Sequence, residues 1–243
     1  IEPNSRRSGF VKAFFLAVCL FLLAVQLSAQ SKAPEHGKRV GKLIVSGAMV
    51  IDGVGTPAEG PYDIVIDENR ISRIARHNTN AGYYEDADAV IDAKDMYVTP
   101  GFINMHSHLH DSRAGISFPF EYQYSLWLGA GITTARDLGS NFTKALAEKE
   151  KSAKNEIAAP RLLLYPFYSG ARSEEQIRAY VQDIKKKGAD GIKCWGIDRD
   201  TFLIVADEAN KQELKIAHHV GVEDANAWDD ADVGTSTIEH WYG

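Results

Sequence analysis

The chain has 243 residues, 44% of them hydrophobic and 25% charged, with a formal net charge of −6. This is the composition of a folded globular protein and excludes a disordered or fibrous one. Mild acidity without a long lysine/arginine run also excludes the basic footprint of a nucleic-acid-binding protein.

The chain begins at Ile1 and ends at Gly243, directly after a strand-like run, so both ends read as truncations. Arg6, Arg7 and Lys12 flank an uninterrupted apolar run from Ala13 to Val25. A positive segment followed by an apolar run too short to span a bilayer is the pattern of a secretory signal. Leu27-Ser28-Ala29 places cleavage before Gln30, which makes residues 1–29 a signal peptide. The expectation is an exported protein, periplasmic or extracellular, with no stable membrane anchor. Arg6-Arg7 raises the twin-arginine route, but Gly9 stands where that signal wants a large apolar residue, and the general secretory route is favoured. Cys19 leaves with the signal, so Cys194 remains as a single thiol that cannot form an internal disulfide.

Residues 30–38 are polar, contain Pro34 and Gly37, and read as a linker. Lys42 to Asp52, Tyr62 to Asp67, Arg70 to Ala75 and Ala89 to Asp92 follow as short strands, with a turn at Glu68-Asn69. Short strands joined by turn residues predict a small β-sandwich-like domain of antiparallel strands over residues 39–98.

After Thr99 strands alternate with helices. Strands are predicted at Phe102 to His106, Ile132 to Asp137, Arg161 to Tyr165, Ile192 to Trp195, Leu214 to His219 and Thr237 to His240. Helices are predicted at Phe142 to Lys154, Glu174 to Lys187, Arg199 to Lys211 and Asp224 to Ala231. This alternation requires a parallel sheet with helical crossovers. No glycine-rich phosphate loop follows the first strand, which weighs against a doubly wound nucleotide-binding sheet. The chemically distinctive residues fall at C-terminal strand ends, which suits a barrel. A complete barrel takes about 250 residues. The expected class is therefore α/β, with a partial TIM (β/α)8 barrel over residues 99–243 that stops after strand six.

Four segments carry the chemistry. In Pro100-Gly101-Phe102-Ile103-Asn104-Met105-His106-Ser107-His108, strand alternation sends Ile103 and Met105 toward helices and Asn104, His106 and His108 inward. Two imidazoles so spaced can bind one metal from one side. His110 keeps the same parity but falls on the loop. Lys193, within Gly191-Ile192-Lys193-Cys194-Trp195, puts a cation inside a short strand, which costs desolvation unless it is partnered or chemically changed. In Leu214-Lys215-Ile216-Ala217-His218-His219, His218 shares the apolar, helix-packed face and His219 the inward one. Thr237-Ile238-Glu239-His240 ends the last strand with another histidine.

The order and strand positions of these residues resemble the metal centre of the amidohydrolase superfamily. Val98 to His108 resembles its first-strand signature, and Gly131 to Gly139 its second-strand segment. In detail the chain is similar to imidazolonepropionase-like and prolidase-like members. The resemblance implies that His106 and His108 hold one divalent metal and His219 and His240 another. It implies that Lys193 bridges them as a carbamate formed with CO2, and that metal-activated hydroxide attacks an amide, cyclic amide or dipeptide carbonyl. Two zinc ions are the expected cofactors, and a small molecule or dipeptide the expected substrate; homo-oligomer formation is left open. Asn104 stands where the family commonly has aspartate. The family's last-strand aspartate, which moves the proton to the leaving group, would lie beyond Gly243, so no catalytic residue of that kind is identified, and the 243-residue chain is expected to be inactive and poorly soluble. Tyr165, Tyr168 and Trp195 are candidates for the pocket mouth. The competing readings are a mononuclear deaminase or imidazolone-type hydrolase on the same fold, against which Lys193 argues, and a non-catalytic exported protein retaining the fold.

Overall fold

The structure, a computed structural model, describes residues 39–170, 172–220 and 224–240. The expected signal peptide and linker, residues 1–38, lie outside the described residues. No described helix is long and apolar enough to cross a membrane. The chain divides into two compact units between Pro100 and Gly101.

The first unit is built on β1 (Lys42–Val50), β2 (Glu59–Asp67), β3 (Arg70–Arg76), β4 (Ala89–Asp92) and β5 (Tyr97–Val98). Its sheet runs β3-β2-β1-β4, with β5 also beside β1. β1, β2 and β3 pair antiparallel, but β4 and β5 join β1 in parallel. The sheet is therefore mixed rather than wholly antiparallel. The physical reason is the connection after β3, which carries a 3-10 turn at Gly82–Tyr84 and returns the chain beside β1 in the same direction. Ile44, Val65 and Ala87 form the core, with Tyr83, Tyr84 and Val90 against it. Among them sits a fully buried carboxylate, Asp63. It accepts hydrogen bonds from the Gly47 and Asn78 amides (both 3.0 Å), the Tyr83 hydroxyl (2.8 Å) and His77 Nδ1 (2.7 Å). Gly47 has φ +75°, a conformation that a side chain would strain.

The second unit begins with β6 (Phe102–Ser107), the hairpin β7 (Ser112–Arg113) and β8 (Ile116–Ser117), and α1 (Phe120–Gly129). There follow β9 (Ile132–Leu138), α2 (Phe142–Ala153), β10 (Arg161–Tyr165), β11 (Phe167–Tyr168), α3 (Glu174–Lys186) and β12 (Gly191–Cys194). α4 (Arg199–Lys211), β13 (Lys215–His219), α5 (Ala227–Val233) and β14 (Thr237–Glu239) complete it. The hairpin and α1 were not expected from the pattern. Phe120, Tyr122, Tyr124, Leu126, Trp127 and Leu128 spread around α1, so no 3.6-residue stripe marks it. α5 starts three residues later than predicted, because the Asn226 side chain and Asp229 form its capping box.

β6, β9 and β10 pair in parallel, as do β11, β12, β13 and β14. Pro166, which has no amide hydrogen, separates β10 from β11. Across this break the Asp190 amide donates to Leu164 O and the Lys193 amide to Pro166 O, each at 2.9 Å, so the two groups form one arc in sequential order. This is part of a TIM (β/α)8 barrel. On its outer face Ile177, Val181, Phe202 and Val205 of α3 and α4 pack on Ile192, Cys194 and Ile216. Tyr124 and Ala145 of α1 and α2 cover Ala135, Leu162 and Leu164. Ile103 and Met105, predicted to lie under helices, are 58% and 48% exposed. The reason is that α1 and α2 pack over β9 and β10, and no described helix crosses β6.

Candidate functional site

His106, His108, Lys193, His219 and His240 line one pocket of about 310 Å³, together with Leu138, Gly139, Phe167 and Trp195. Each comes from the C-terminal end of its strand or from the residue or two beyond it. The structure thus brings together all five residues singled out in the sequence. The His106 ring centroid lies 5.3 Å from that of His108 and 4.9 Å from that of His240. His219 lies 4.4 Å from His240 and 5.6 Å from Trp195.

Local backbone devices put each ring there. His108 follows the end of β6, on a segment braced at several points. The Leu109 amide donates to Asp137 Oδ1 (3.0 Å) and Ser140 Oγ (2.7 Å), and Ser107 Oγ donates to Arg136 O (2.7 Å). From α1, Gln123 donates to His108 O (2.7 Å) and accepts from the His110 amide (3.2 Å). Asp137 is therefore a brace for this segment. Burial pushes its carboxyl above the usual range, against hydrogen bonds from Ser140 and Leu109. His110 stacks on His108 with centroids 5.9 Å apart and does not line the pocket.

Lys193 is 2% exposed. Neighbouring Cys194 faces outward into the helix-packed core, as strand alternation requires. On β13, His218 faces the helices. Its ring is fully buried, stacks on Phe202 at 4.3 Å, and its Nδ1 meets Asp230 Oδ2 at 2.9 Å. His219 takes the opposite, pocket side. On β14 strict alternation would put Thr237 and Glu239 inward and His240 outward. A left-handed backbone at His240, φ +69°, breaks the alternation and returns its ring to the pocket. Such a conformation is uncommon outside glycine, although histidine is among the residues enriched there.

Two charged residues at the site were missed in the sequence. Arg136 and Glu239 are 3% and 6% exposed and form an ion pair between β9 and β14. Glu239 Oε2 lies 2.7 Å from His106 Nδ1. A buried arginine within a strand and a glutamate next to a site histidine were available as signals. Their pairing across more than a hundred residues of chain was not.

Burial holds the His108 imidazole below the usual histidine range, and the positive potential of His106, His110 and Lys193 adds to this. His240 is lowered for the same reason, burial first and then His106 and Lys193. Neutral imidazole is the form that binds a metal. Among the described residues, no three or more His, Cys, Asp or Glu side chains converge as a formed metal site. The donor chemistry still fits a divalent ion: four imidazoles in ring contact, two of them held neutral, beside one lysine.

A parallel arc with helices outside and its polar side chains at the C-terminal strand ends defines the protein's class, a barrel of the kind that carries its site on that face. The amidohydrolase family model matches residues 97–241, and the chain belongs to that family. Among curated relatives, a dihydroorotase of Clostridium acetobutylicum is 42% identical over 69 residues, 28% of this chain and 15% of its own length. A dihydroorotase of Anaeromyxobacter dehalogenans is 28% identical over 149 residues, 61% of this chain and 30% of its own. The solved structure of a Xaa-Pro dipeptidase with methionine bound in its active site matches with a TM-score of 0.67 at 21% identity, over 82% of this chain and 61% of that one. The chain therefore spans less than two thirds of the length of each of these proteins.

Proposed function

We propose that the whole protein is an exported, metal-dependent hydrolase that cleaves a C–N bond in an amide, a cyclic amide or a dipeptide. The observation that carries this reading is the gathering of four histidines and a buried lysine around one pocket at the C-terminal strand ends. In this reading His106 and His108 would hold one divalent ion, His219 and His240 would hold a second, and Lys193, as a carbamate, would supply an anionic oxygen donor to them. Zinc suits an imidazole-rich donor set. When bound, such ions lower the pKa of water and polarise a carbonyl oxygen.

The chain's own residues supply the rest. The depressed His108 and His240 offer neutral nitrogen donors at neutral pH. Carboxylation of the neutral Lys193 amine by CO2, with release of a proton, would give an anionic oxygen donor, and the metal ions would offset the cost of burying its charge. Leu138, Phe167 and Trp195 give the pocket an apolar wall, and its volume of about 310 Å³ suits a small molecule or dipeptide. Asp137 and Glu239 are engaged with Leu109 and Ser140, and with His106 and Arg136, so neither is assigned proton transfer to the leaving amine. The apolar run behind Arg6, Arg7 and Lys12 supports export.

Metal content tests the reading. The wild-type protein is expected to hold two equivalents of divalent metal and the Lys193→Ala variant about one. Short carboxylic acids are expected to restore the second. Unchanged metal content in the variant would contradict the bridging role, and a single ion in the wild type would favour the mononuclear reading.

A further inference from the structure

One pocket histidine has a carboxylate directly on its ring: His106 Nδ1 lies 2.7 Å from Glu239 Oε2. The carboxylate itself is held at its other oxygen. Thr237 Oγ1 donates to Glu239 Oε1 at 2.7 Å, and Arg136 Nη2 donates to the same atom. Arg136 Nη1 donates to Thr237 Oγ1 at 2.8 Å, and Arg136 Nε to Met105 O, on the residue before His106, at 2.6 Å. The guanidinium also lies over the Tyr165 ring, 5.3 Å from its centroid. Every polar contact of this network is thus directed at one end: it ties β6, β9 and β14 together at the root of the His106 side chain.

The charges balance without His106. Arg136 and Glu239 are oppositely charged partners, and the other carboxylate oxygen, Oε2, faces His106 Nδ1. An ionic pair buried this deeply contributes little net stability compared with well-packed apolar side chains, because both charges lose their hydration. What an apolar pair could not supply is a choice of tautomer and ring orientation. A carboxylate on one ring nitrogen leaves the other as the lone-pair donor and raises its basicity.

We propose that Glu239, fixed by Arg136 and Thr237, is a positioning residue that locks His106 as its Nδ1–H tautomer and so makes Nε2 the nitrogen that binds the metal. This rests on the metal-centre reading above and extends it to three residues outside the proposed ligand set. Glu239 acts directly on His106. Arg136 acts one step back, by holding Glu239.

The test has two parts, both on the full chain. Nitrogen-15 NMR of the metal-free wild type, with histidine labelled, reads the tautomer of His106 with no substitution and no metal. The Nδ1–H form is expected, and the Nε2–H form would overturn the proposal. Zinc affinity is then measured by competition with a chromophoric chelator in wild type and Glu239→Gln. Glutamine keeps the shape but weakens the acceptor, and a loss of about 10- to 100-fold in affinity is expected, the range for such supporting partners. A shift of the His106 signals in Glu239→Gln is expected with it. If Glu239→Gln does not fold, Thr237→Val removes one donor to the carboxylate and is expected to weaken zinc binding in the same direction. Wild-type affinity in a folded Glu239→Gln protein would overturn the proposal. Failure of the wild type to bind zinc would instead overturn the metal-centre reading, while the NMR result would still decide the Glu239–His106 link.

Discussion

His218 and His219 are neighbours on β13 with opposite fates, and the difference is parity alone. His218 is sealed between Phe202 and Asp230, whereas His219 reaches the pocket. Removing the carboxylate, as in Asp230→Ala, leaves a buried imidazole without its partner. This is expected to cost about 1–3 kcal/mol in urea unfolding, while His219 keeps its place in the pocket. A wild-type midpoint would show that the contact contributes nothing. The division of labour between these two histidines was legible in the sequence, because Leu214 and Ile216 mark the apolar face. His240 was legible as a site residue by its place at a strand end, but not by parity. Its approach to the pocket depends on φ +69°, and no local residue pattern announces that. Glu239 and Arg136 were not legible as a pair, since their contact exists only once three strands have assembled.

At the level of elements, the parallel arc depends on close approaches where there is no side chain to spare. A Cβ on Gly191 would lie 2.3 Å from the Tyr165 ring and 2.5 Å from Lys215 O, at the start of the strand that carries Lys193. Gly191→Ala is therefore expected to destabilise the second unit by about 1–3 kcal/mol, as overpacking does, and equilibrium unfolding checks it. In the first unit the corresponding device is electrostatic. Burial pushes the Asp63 carboxyl up, but hydrogen bonds from His77, the Asn78 amide and Tyr83 outweigh it and bring its pKa from 3.8 to about 2. A pKa lower when folded than when unfolded stabilises the fold above about pH 4 and ceases to do so as pH falls toward 2. The contribution is about 1–2 kcal/mol, discounted for the solvent that reaches His77. Asp63→Asn should therefore lose protection at the Ile44 and Val65 amides at pH 7, with the gap from wild type closing by pH 2; hydrogen exchange with mass spectrometry reads this. A gap that persists at pH 2 would assign the effect to packing rather than charge. The strands of this unit were legible from alternation, but the direction of β4 was not, because it is decided by the connection that passes through Gly82–Tyr84.

For the whole molecule, alternation of strand and helix was sufficient to read the barrel arc, its order and the strand ends at which the candidate site residues gather. The helix over Phe120–Gly129 was hidden because apolar residues surround it. The two strands at the ends of the arc, β6 and β14, leave apolar side chains in the open: Phe102 is 60% exposed, Ile103 58% and Ile238 43%. Exposed edge strands of this kind invite association. The 243-residue chain is expected to self-associate in light scattering at micromolar concentration, and Ile103→Lys to reduce this; a monodisperse monomer would contradict it. The account turns on what the pocket holds. The most direct measurement is anomalous diffraction at the zinc edge on crystals grown with zinc. Two peaks are predicted in the pocket, one against His106 and His108 and one against His219 and His240, with continuous density joining Lys193 Nζ to both. A pocket without an anomalous peak in crystals equilibrated with zinc would contradict the metal-dependent mechanism.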